Sequence, residues 1–178
     1  MKGGFAIKKR NMFLFICCLA IAIVAPILYH YAVDIHTLAW HMLHREPVSW
    51  RGLEISIPDK LIAKINTDMN NTEVIPVYSI SKPDKVTIFF EHNSYHLNKD
   101  FNFEEKYQYA GERIIEKKVC NIANNPCIWI KSRKDGDGSF YAERVFFLSR
   151  DVVITFMGDT ESRYYLEEIL RNLRISQN

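Results

Sequence analysis

The chain has 178 residues, with 23 Lys+Arg against 21 Asp+Glu and a formal charge of +2. That length allows one domain and a small appendage, and a 48% hydrophobic content excludes a collagen-like or wholly disordered chain. So small a net charge does not point to nucleic acid.

The first feature in chain order is residues 12–33, which carry no formal charge. A helix over this run rises about 33 Å, enough for the roughly 30 Å hydrocarbon core of a bilayer. Pro26 is tolerated there with a local kink, and Tyr29 and Tyr31 suit the interface. Every charge before the run is positive: Lys2, Lys8, Lys9 and Arg10. The positive-inside tendency then keeps residues 1–11 in the cytoplasm and sends everything after residue 33 outside it. The rival is a cleaved signal peptide. The run is longer than a usual signal core and no small-residue cleavage site follows it. The expectation is a single span in a bacterial inner membrane, with the C-terminal part periplasmic. Without the four basic residues, 19 Lys+Arg remain against 21 Asp+Glu. The external part is therefore at −2, with no polybasic patch for nucleic acid.

Residues 34–48 form a connector rich in histidine. If the helix continued unbroken, His30, His41 and His44 would share a face, which makes them weak metal candidates. No carboxylate or Cys completes a ligand set. An interfacial helix ended by Pro47 is the better reading, and no metal or cofactor is expected.

Residues 49–178 read as one α+β domain. Leu53, Ile55 and Ile57 alternate in a strand over residues 50–58. Residues 59–65 suggest a helical turn. Residues 73–80 and 85–91 read as strands. Phe103, Tyr107, Ala110 and Ile114 recur at helical spacing over residues 99–110, with Gly111 as a stop. Cys120 and Cys127 flank Asn-Asn-Pro turn chemistry between two strand-like stretches. They would face each other across a hairpin as a disulfide, which suits an oxidising compartment. Asp135-Gly-Asp-Gly138 reads as a tight turn, followed by strands over residues 140–148 and 152–157. A helix then opens near Gly158-Asp-Thr160, with Leu166, Ile169, Leu170 and Leu173 as its stripe. Four consecutive strands with short turns must be antiparallel neighbours. The expected architecture is an antiparallel sheet of about six to seven strands packed with two to three helices.

Three segments carry a family resemblance: Glu54-Ile-Ser-Ile-Pro58, the acidic aromatic stretch from Phe101 to Gly111, and the closing Leu173-Arg-Ile-Ser176. With the strands between them, residues 50–176 resemble the Mog1/PsbP-like domains. The Trp that often follows the opening Pro is replaced here by Leu61. The resemblance implies a Mog1/PsbP-like sandwich and a binding or assembly role in place of catalysis. It carries over no functional residues.

Catalytic and nucleotide-binding motifs are absent from the sequence. His92 and His96 have i, i+4 spacing, but they follow a strand and read as a solvated loop. Asp135 to Ser139 lacks the Gly and Glu that a calcium loop requires. The aromatic enrichment is the remaining signal, with 11 Phe and 9 Tyr. Phe101, Tyr109, Tyr164 and Tyr165 are the candidate contact residues for a protein partner. The functional expectation is a membrane-anchored accessory protein of an envelope complex. The alternatives are an immunity protein against a periplasmic toxin and a small hydrolase using His92 or His96.

Overall fold

The computed structural model describes residues 4–65, 73–83, 85–93, 111–134 and 141–175. Phe101, Tyr109 and His96, the expected helix over residues 99–110 and the turn at residues 135–138 lie outside them.

Helix α1 (Gly4–Leu43) covers the expected span and continues into the connector. Its parts Met12–Leu28 and Tyr31–Leu43 meet at 57°. The break lies after Pro26, not in the turn before it, where the missing N–H of a proline would loosen the helix. Among the described residues, no single straight helix is long and apolar enough to cross a membrane. The bent pair passes that test together.

The expected single strand over residues 50–58 is a hairpin instead: β1 (Val48–Trp50) pairs with β2 (Leu53–Ile55). Arg51 and Gly52 both have positive φ, 48° and 73°, the sign pair of a type I′ turn, whose twist matches that of paired strands. The expected helical turn at residues 59–65 is also corrected. Ile62 and Ala63 form a short strand, β3 (Ile62–Ala63), paired with Tyr78 and Val77. Leu61, Ile62 and Ala63 are buried in succession, which a one-sided helical turn would not achieve.

The strands β4 (Val74–Tyr78) and β5 (Val86–His92) follow as expected. His92 ends β5, opposite Val152, and so belongs to a strand where a loop was expected. Next come β6 (Glu112–Ile122), β7 (Asn125–Lys134), β8 (Tyr141–Phe147) and β9 (Val152–Gly158), four antiparallel neighbours. Helix α2 (Arg163–Asn172) starts three residues later than its expected opening, because Gly158 still belongs to β9. The chain then closes with β10 (Arg174–Ile175), which pairs with β2.

The main sheet has seven strands in the order β3-β4-β5-β9-β8-β7-β6, and β1-β2-β10 form a second, smaller sheet. This is the α+β class. Odd positions of β8 (Tyr141, Val145, Phe147) join Trp50, Leu53, Ile55 and the α2 stripe in the principal core. Phe146 faces the other way, in a second cluster with Ile128, Ile130 and Val153. The centre of the sheet is thus covered on both faces, and β9 reads as an almost unbroken apolar run for that reason. Each fully buried Leu or Ile of α2 contributes about 1.5–3 kcal/mol. The stripe therefore outweighs the absence of a side-chain N-cap at Ser162.

Candidate functional site

The last turns of α1 dock on the domain. The Trp40 side chain packs against the principal core. The His41 ring donates from Nε2 to the Leu61 carbonyl at 2.9 Å. The His44 ring donates from Nδ1 to the Trp40 carbonyl at 2.9 Å, and stacks on the indole at 4.5 Å. The two rings thus act as hydrogen-bond donors at a joint. His30 has no described side chain. Among the described residues, no three His, Cys, Asp or Glu side chains converge as metal ligands.

A cleft of about 720 Å³ opens beside this joint. Val33, Asp34, Thr37 and His41 line it from α1, and Tyr164 and Tyr165 from α2. Residues from two separate sequence expectations, the histidine face and the tyrosine pair, therefore meet at one place. The two tyrosine rings lie 3.9 Å apart. Tyr164 is 49% exposed, whereas Tyr165 packs on the core. Burial is the largest cause raising the pKa of the Tyr165 phenol, followed by its bond with Tyr164. Lys60, Lys82, Asp59 and Glu161 complete the charged lining. These four were not expected, since they lie in three loops 22 to 102 residues apart with no local pattern to connect them.

No protein-family model matches the chain, and no curated protein matches it either. In fold it resembles cyanobacterial PsbP (CyanoP) from Synechocystis sp. PCC 6803. The TM-score is 0.45 at 9% identity, covering 71% of this chain and 88% of that one. The likeness is one of fold.

The domain holds one more polar centre, beneath α2. Glu143 is 1% exposed. One carboxylate oxygen accepts from Trp129 Nε1 at 2.8 Å, the other from Arg163 Nε at 2.6 Å. The Glu143 hydrogen bond is the first cause raising the pKa of the Arg163 guanidinium, which also binds Glu167. Lys131 stands 3.8 Å from the same carboxylate. Burial, with Glu143 next, pushes the Tyr141 phenol up to about 12. With donors on both its oxygens, Glu143 fastens α2 to the sheet. Its position was legible in principle, because it shares strand parity with inward Tyr141, Val145 and Phe147.

The expected disulfide forms. Cys120 and Cys127 are direct partners across the β6–β7 hairpin, 4.9 Å apart at Cα. Ala123 and Asn124, with φ of 48° and 62°, make its two-residue turn.

Proposed function

We propose that this protein is a single-pass, membrane-anchored accessory factor whose external domain binds an envelope protein without chemistry. One observation carries the reading. From Met12 to Leu28 the large apolar side chains of α1 stay exposed all round the helix: Phe13 is 65% exposed, Phe15 68% and Ile21 66%. A helix apolar on every face belongs in lipid or in a protein core. The straight part rises about 26 Å, short of the roughly 30 Å core, and only together with Tyr31–Leu43 does it meet the length and composition of a span. The basic residues ahead of it support a cytoplasmic N-terminus. The disulfide supports an oxidising compartment for the domain. The joint at Trp40 and His41 then carries the domain at the membrane surface, where its effective concentration towards membrane partners is high.

A reporter active only in the periplasm, fused after Asn178, is expected to give signal; silence would overturn the topology. In the same cells, crosslinking and pull-down of the full chain should yield one dominant envelope protein. Capture of a secreted toxin instead would move the role to immunity.

A further inference from the structure

We propose that the cleft between α1 and the domain holds the headgroup of a zwitterionic phospholipid, carrying one phosphate and one ammonium. The inference rests on the anchored reading above. Charges of both signs line the cleft: Lys60 and Lys82 against Asp34, Asp59 and Glu161. Among the described residues none of these five enters an ion pair; the pairs lie elsewhere, as at Lys85–Asp159 and Arg144–Glu112. All five are exposed, so water solvates them in the free protein, and a ligand that bears both charges replaces that water.

The lysines suit a phosphate and the carboxylates an ammonium. Hydroxyls are at hand as well, since Ser79 and Ser81, 3.0 Å apart at Oγ, line the same cleft. A volume of about 720 Å³ lies within the range of small-ligand sites. Its location agrees with the ligand. Asp34 is the first charged residue after the apolar run, and both Val33 and Asp34 line the cleft. It therefore opens at the depth where hydrocarbon gives way to headgroups. Three carboxylates against two lysines disfavour a purely anionic lipid.

The test uses the full chain in nanodiscs containing equal phosphatidylethanolamine and phosphatidylglycerol, followed by native mass spectrometry of retained lipid. The wild type is expected to retain the ethanolamine lipid about tenfold over the glycerol lipid, equivalent to about 1.4 kcal/mol. Both K60Q/K82Q and, as a separate variant, D34N/D59N are expected to lose that preference. Equal retention, or preference for the glycerol lipid, would overturn the proposal. So would a preference that persists in both variants. Titration with O-phosphoethanolamine separates the sources: tight binding of it without a lipid preference assigns the site to a soluble zwitterion. Alkaline extraction of membranes reads the anchor independently. A chain that stays in the membrane but shows no preference loses only this proposal, and one that washes off loses the anchor too.

Discussion

Glu112, at the start of β6, spends both carboxylate oxygens on partners far along the chain. Arg144 donates to both, at 2.8 and 3.0 Å, and the Ser132 hydroxyl donates at 2.6 Å. Burial pushes this carboxyl up, but the hydrogen bonds and the Arg144 charge outweigh it and hold the pKa below the ordinary 4.5. A carboxyl depressed on folding stabilises fully above its unfolded pKa, and loses that contribution as pH falls through the folded value. E112Q is therefore expected to cost about 1 kcal/mol at pH 7, or ~2–4 °C in the melting temperature of the full chain in detergent. The gap to wild type should shrink as pH drops below 4.5. An equal gap at pH 7 and pH 3 would remove the charge from the account. By contrast, the Lys118–Glu116 pair is about half exposed and screened by water. Neither Glu112 nor Glu143 announced its role in sequence. Each lies among ordinary strand charges, and its partners lie 12 to 32 residues away. The register of β6, β7 and β8, with the docking of α2 for Arg163, brings them together.

At the scale of elements, legibility followed length. The hairpin of β6 and β7 was readable because its turn chemistry and two cysteines agree on one register. The seven-residue strands β5, β8 and β9 carry enough β-branched and aromatic residues to declare themselves. β3 and β10 have two residues each, too few for a period, and exist because β4 and β2 offer an edge. The β1–β2 turn hid behind Arg51, since only its second residue is the glycine that favours positive φ. A different glycine tests how tightly the strands meet. Gly158 stands between Val86 of β5 and Tyr141 of β8. A Cβ there would lie 2.4 Å from the Lys85 carbonyl oxygen and 2.9 Å from Phe156 Cζ. That carbonyl is held by the Asp159 N–H at 3.1 Å, so it cannot swing away freely. G158A is expected to cost about 1–3 kcal/mol through overpacking. G111A is the control: its φ is +68°, but no atom lies within 4 Å of the added carbon. It should cost only backbone strain, about 1 kcal/mol. Melting curves of the two variants should rank G158A as the less stable, and the reverse order would show that β9 gives way to the methyl.

For the whole molecule, the charge of +2 over 178 residues resolves into a +4 tail and a −2 remainder on either side of an uncharged run. That placement was readable from sequence, whereas the joint between the run and the domain was not. Trp40 and His41 look like interfacial anchors when only their neighbours are considered. Trp40 instead packs on the core, and the partner of His41, the Leu61 carbonyl, lies 20 residues on. The cleft keeps its shape only while this joint is closed, because one wall is α1 and the other is the domain. Trp40 is the larger part of the closure: it packs on the core and touches both His41, at 4.9 Å, and His44. The His41 bond is a single link for which water competes. W40A is therefore expected to loosen the joint more than H41A. Arg45, exposed just beyond the end of α1, reports the change. Opening by about 1.4 kcal/mol would raise tryptic cleavage after Arg45 about tenfold in the full chain, provided closing remains fast relative to cleavage. Cleavage unchanged in W40A would mean that the helix is held by other contacts, and would leave the wall of the cleft without its support.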